Sequence, residues 1–180
     1  MKSIARYRPA SVALHWLVAL LVVLAFPIGL YMHGLPLNPD KLRLYSYHKW
    51  IGVTVFALML TRMGLRLSGS TPPWPAAMTA WERGAARATH VLLYALLLVI
   101  PVSGWLWSSA LGFQTVWLGL VPLPDLVVRD KALAATFGGL HKLLNFSMIA
   151  LLTLHVAAAL RHHFILRDDV GRRMALWPRR

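Results

Sequence analysis

The sequence predicts an all-α integral membrane protein, a bundle of four helices each crossing the bilayer once. Three observations carry this. Of 180 residues, 58% are hydrophobic and only 14% charged, and the mean hydropathy is +0.58, which suits lipid rather than water as the solvent. Four apolar runs each approach the 20 or so residues that a hydrocarbon core requires. Backbone polar groups in lipid must be satisfied within the chain, and helix-length runs rather than many short alternating segments favour helices over a barrel.

The first run extends from Val12 to Tyr31 behind Lys2, Arg6 and Arg8. Such cations also precede signal peptides, but this run is longer than a usual signal core, contains His15, and leads into Tyr31-Met32-His33 without a small-residue cleavage pattern. The second run, Tyr47 to Leu65, is followed from Ser68 to Ala80 by Ser-Gly-Ser-Thr-Pro-Pro-Trp-Pro and small residues, an ordered or extended linker. The third runs from Ala88 to Trp107. The next connection, 108–137, is long and apolar, with Phe113, Trp117, Leu118, Leu120 and Leu123 interrupted by Pro122 and Pro124, and is expected to lie over the end of the bundle. The fourth run is Leu140 to Leu160. Residues 1–180 thus form one membrane domain, and no internal repeat aligns its halves.

The formal charge is +13, yet the basic residues sit at the ends of apolar runs rather than on one helical face, so nucleic acid is excluded as a partner. Thirteen Lys and Arg fall on the side of the chain ends and six on the other. The positive-inside rule then puts both termini in the cytoplasm of a multi-pass protein of the bacterial inner membrane, with the other face periplasmic. Cysteine is absent, which excludes disulfides, thiolate-held iron–sulfur clusters and covalently attached c-type haem.

Eight histidines remain to be explained. His33 reads as an interfacial residue where the first span ends, and His162-His163 stand beside Arg161 just past the fourth, at headgroup level or in a site. His15, His48, His90, His141 and His155 lie within or at the mouths of spans, where ionisable groups are costly and usually face a partner inside the bundle. Topology sorts them into two layers. His15, His90 and His155 are near the cytoplasmic side; His48 and His141 are near the outer side. His141 and His155 are fourteen residues apart. At about 100° and 1.5 Å per residue, their side chains differ by roughly 40° in direction and about 21 Å in height. One face of the fourth helix therefore offers an imidazole to each layer.

Two imidazoles, one from each of two facing helices, suit a non-covalently held haem, a flat macrocycle whose iron needs no open position for electron transfer. Zinc or copper would need three or four ligands at one depth, often with a carboxylate or thiolate, and all six acidic residues fall outside the runs. Small residues near the ligands would admit the macrocycle: Gly52, Gly138, Gly139 and Ala157 to Ala159, which also suit ordinary helix packing. Lys49 and Lys142 on one side, and Arg62, Arg87 or Arg161 on the other, are candidates to meet propionates or to anchor the helices at the interface.

His15-Trp16, His48, Thr89-His90 with Tyr94, Gly139-Leu140-His141 and above all the segment from Leu154-His155 through Arg161-His162-His163-Phe164 resemble the bacterial cytochrome b561 family over nearly the whole chain. The membrane cytochrome subunits of nickel-iron hydrogenases and formate dehydrogenases are more distantly similar. The resemblance implies two b-type haems, an inner one held by His15 and His155 and an outer one by His48 and His141. It leaves His90 surplus in the inner layer, where spacing alone does not choose between His90 and His15. It further implies superoxide as donor at the outer haem and ubiquinone as acceptor near the inner one, with His90, His162 and Arg83 or Arg87 as spare polar groups for the quinone. The six outer cations against Asp40, Asp125 and Asp130 would attract an anion.

A subunit that takes electrons from a docked periplasmic redox protein of the hydrogenase or dehydrogenase type is the alternative, with the apolar outer loop as its interface. A homodimer stays open. A histidine-lined metal or proton transporter is disfavoured, because no carboxylate lies within a span.

Overall fold

The computed structural model describes residues 6–69, 71–75 and 78–176. Lys2, Ser70, Arg179 and Arg180 lie outside the described residues. Four helices are long and apolar enough to cross a membrane: α1 (Pro9–Gly34), α2 (Pro39–Leu67), α3 (Ala80–Leu111) and α4 (Lys131–Leu160), the last continuing through a π-helical turn at Arg161–Leu166. The chain is a membrane helical bundle.

Each helix outruns its hydropathic stretch, and in α2, α3 and α4 capping chemistry outside the hydrocarbon sets the start. α2 begins at Pro39 rather than near Tyr47: the Asn38 side chain accepts from the Lys41 amide at 2.8 Å, and Pro39 occupies the first turn, where its missing N–H costs nothing. α3 begins at Ala80 rather than Ala88, behind a reciprocal capping box between Thr79 and Glu82, and ends at Gly112, whose φ of +79° suits glycine. α4 begins at Lys131, capped by the Asp130 carboxylate on the Leu133 amide at 2.8 Å. Residues 131–137, read from hydropathy as loop, are therefore helix.

The connection from α3 to α4 holds a small antiparallel hairpin, β1 (Val116–Trp117) with β2 (Val121–Pro122), turned through Leu118 and Gly119 at positive φ. It is tied to α2. Trp50 Nε1 donates to the Val116 carbonyl at 2.6 Å, and Trp117 Nε1 donates to Thr54 Oγ1 at 3.2 Å. Lys49 Nζ donates to the Gln114 carbonyl at 2.9 Å, to Ser108 Oγ at 3.2 Å and to the Phe113 carbonyl at 3.3 Å. Lys49 is thus an anchor of this loop.

The helices pack in sequence order, α1 on α2, α2 on α3 and α3 on α4. Val18, Val55 and Met59 form a core with Tyr94 and Leu97 around them, while Leu20, Val23, Leu143, Phe146 and Leu154 turn outward, as the lipid-facing surface of a bundle must. Trp16 Nε1 donates to the Met174 carbonyl at 2.8 Å, and Arg6 donates to the Ala175 carbonyl at 2.9 Å. Both described chain ends therefore lie at one end of the bundle, the terminal face. The hairpin marks the opposite end, the loop face.

Candidate functional site

Four of the histidines form two pairs across the bundle. At the loop face, the rings of His48 on α2 and His141 on α4 have their centroids 6.3 Å apart. At the terminal face, His15 on α1 and His155 on α4 are also 6.3 Å apart. In-line ligation of one metal by two imidazoles, with metal–nitrogen bonds of about 2 Å, sets ring centroids about 6.3 Å apart. Both separations match that requirement. His90 lies 5.3 Å from His155, about 1 Å too close. The two histidines that share this depth thus stand at different distances from His155.

The loop-face pair is braced by a device that hydropathy does not reveal. His48 Nδ1 is 3.0 Å from the Ala25 carbonyl of α1, and His141 Nδ1 is 3.1 Å from the Ile100 carbonyl of α3. A carbonyl only accepts, so Nδ1 carries the proton in both rings and Nε2 is left for a ligand. Each ring also rests on a glycine one turn beyond its carbonyl. A Cβ at Gly29 would stand 3.0 Å from His48 Cε1, and one at Gly104 would stand 3.0 Å from His141 Cε1. The four-residue step from Ala25 to Gly29, and from Ile100 to Gly104, puts acceptor and gap on one helix face. Pro27 and Pro101 lie between them. Two neighbouring helices therefore hold the two imidazoles of this pair in the same way, although the halves of the sequence do not align.

Gly52 on α2 and Gly139 on α4 flank this layer with nothing within 4 Å of an added Cβ, which fits a flat group between the helices. Gly138 serves helix packing instead, since its missing Cβ admits Trp107, whose Cε2 would stand 2.8 Å away. Trp107 in turn lies 5.9 Å from the His141 ring. Among the described residues, no group of three or more His, Asp or Glu converges on one point. A metal that arrives in its own macrocycle needs only two protein ligands, so the donor set fits a haem and not a four-ligand protein site.

Beside the loop-face pair, a cavity of about 470 Å³ is lined by Trp107, Arg129, Lys131, Gly138, Gly139 and Lys142 among others. Lys142 Nζ also lies 3.3 Å from His33 Nε2. At the terminal face, Arg62 Nε donates to the Tyr94 hydroxyl at 2.8 Å, and Arg161 pairs with Glu82 at 3.1 Å. His162 belongs to neither imidazole pair. It is buried in the π-helical turn, with Nδ1 2.6 Å from Asp168 Oδ2, while Asp168 Oδ1 accepts from the Val170 amide at 3.0 Å. The wide turn and the positive φ of Arg167 bring the carboxylate back onto the ring. A separation of six residues is not a helical neighbour spacing, so helical periodicity gave no sign of this pair.

The sequence model of prokaryotic cytochrome b561 matches residues 6–176. Cytochrome b561 homolog 2 of Escherichia coli K12 is 36% identical over 171 residues, covering 94% of this chain and 90% of the relative. A protein of Yersinia pestis named "Probable superoxide oxidase CybB" is 28% identical over 169 residues, covering 94% and 95%. Cytochrome b561 homolog 1 of Escherichia coli K12 is 27% identical over 179 residues, covering 97% and 98%.

Proposed function

The chain belongs to the prokaryotic cytochrome b561 family, b-type haem proteins of transmembrane electron transfer, and on that premise we propose that it oxidises superoxide at the loop face and reduces ubiquinone near the terminal face. The observation that carries the reading is the pair of matched imidazole separations, 6.3 Å at each of two depths on α4. His48 and His141 hold one haem, His15 and His155 the other. Bound there, haem supplies one-electron oxidation and reduction at its iron. The bundle half-buries each pair and spaces the two layers along α4 for electron passage.

The terminal face is cytoplasmic in this reading, by the excess of Lys and Arg on that side. Arg129, Lys131 and Lys142 around the loop-face cavity raise the local concentration of an anion such as superoxide. One superoxide gives up one electron and leaves as dioxygen. Two such electrons and two protons convert a quinone to a quinol. His162, seven residues beyond His155 with its Nδ1 on Asp168, has the chemistry to deliver a proton at the terminal face, and Arg161 adjoins it. Inward movement of an electron opposes an inside-negative potential by up to about 2.3 kcal/mol per 100 mV, so the donor must be strongly reducing. The relative named as a superoxide oxidase favours that donor.

The second reading, an electron-transfer subunit with a docked periplasmic partner, draws on the exposed apolar tip of the hairpin, Leu118, Leu120 and Val121. The purified chain decides between them. Superoxide-driven quinone reduction by the isolated protein supports the enzyme. A two-haem protein inactive with superoxide that copurifies with a redox partner would overturn it.

A further inference from the structure

Ser103 is a polar residue inside a membrane helix, towards the loop-face end of α3 and 2% exposed, and its hydroxyl has two neighbours. Oγ donates to the Ile100 carbonyl at 2.7 Å and lies 2.9 Å from His141 Nδ1. With its hydrogen on Ile100, the oxygen turns a lone pair to the imidazole. The His141 N–H is therefore shared between two acceptors, Ser103 Oγ and the Ile100 carbonyl, whereas the His48 N–H has the Ala25 carbonyl alone. Among the described residues, the rings of His15 and His155 have no hydrogen-bond partner.

The other layer receives a cation instead. Arg62 follows His48 by fourteen residues on α2, the same step that separates His155 from His141. By helical geometry this places Arg62 at the depth of the terminal-face pair, on the side of α2 that carries His48. Its Nε is fixed by the Tyr94 hydroxyl.

Acceptors on the far nitrogen of a metal-bound imidazole raise its basicity and favour the more positive, ferric state; a nearby cation favours the ferrous state. Resting on the reading of the site given above, we propose that Ser103 is a positioning residue that, through His141, holds the loop-face haem at a lower potential than the terminal-face haem. Together with Arg62 in the other layer, the hydroxyl biases electron flow from the loop face towards the chain ends.

Potentiometric titration of the purified holoprotein tests this, with Ser103→Ala and Ser103→Thr, which keeps a hydroxyl. In Ser103→Ala both haems remain bound, and at the original midpoint of the loop-face haem the reduced-to-oxidised ratio rises by up to about fivefold, the limit reached when the whole net strength of one hydrogen bond is felt by the ferric form alone. The component that moves is the one missing from His48→Ala. Ser103→Thr stays within about twofold of the parent, the spread between comparable hydrogen bonds. An unmoved midpoint, movement of the other haem, an equal shift in Ser103→Thr, or loss of the loop-face haem from Ser103→Ala would each overturn the proposal. A parent protein without two haems would overturn the reading of the site as well, whereas two haems with an unmoved midpoint overturn only the role of Ser103.

Discussion

Gly104 of α3 lies directly beneath the ring of His141: a Cβ added there would stand 3.0 Å from Cε1 and 3.3 Å from Nδ1. Gly29 of α1 stands in the same relation to His48. A single methyl group at either position presses on the ring, and a branched side chain displaces it. Gly104→Val and Gly29→Val are therefore expected to remove the loop-face haem while leaving the terminal-face haem, halving haem per chain in a pyridine haemochrome assay. An unchanged haem content in both variants would show that the glycines do not seat the ligands.

The 6.3 Å separation of His15 from His155, against 5.3 Å for His90, makes a second discrimination. His15→Ala should lose one haem. His90→Ala should keep both, because its ring, 5.3 Å from that of His155, is too close for in-line ligation. The reverse outcome would reassign the first ligand of the terminal-face haem.

His162 and Asp168 give a third. Asp168→Asn leaves a hydrogen-bonding group of the same size on the Nδ1 of His162 but removes the carboxylate as a proton acceptor. The steady rate of quinone reduction should fall about tenfold or more, with haem content and the rate of haem reduction by superoxide unchanged. Equal loss of both rates would point to a structural role at the end of α4.

The orientation is tested by labelling, which the absence of cysteine makes simple. Leu120→Cys at the hairpin and Leu67→Cys at the terminal end of α2 place single thiols at exposed positions. In intact spheroplasts a membrane-impermeant maleimide should label the first and spare the second. The opposite pattern would invert the electron path.

Much of the scaffold was legible in the sequence because hydropathy reports the bilayer and fourteen-residue spacing reports the helix face. His141 and His155 could be placed on one side of α4 from number alone. The helix ends were misplaced where capping residues such as Asn38, Thr79 and Asp130 lie outside the apolar runs; those caps were in the sequence, but a hydropathic reading does not weigh them. His15 and His90 were indistinguishable because they sit at one depth, and their different distances from His155 depend on the lateral arrangement of helices, which spacing does not report. Gly29, Ser103 and Gly104 were invisible for a different reason. Small residues in membrane helices usually serve packing, and their contact with a ligand ring arises between helices that the sequence does not register against each other.

The central claim is that α4 supports both haems, one through each of its histidines. Haem per chain in purified His141→Ala, His155→Ala and the double variant tests it most directly. One, one and none are the values the geometry requires, with different residual spectra in the two single variants. A full complement of two haems in either single variant would contradict it.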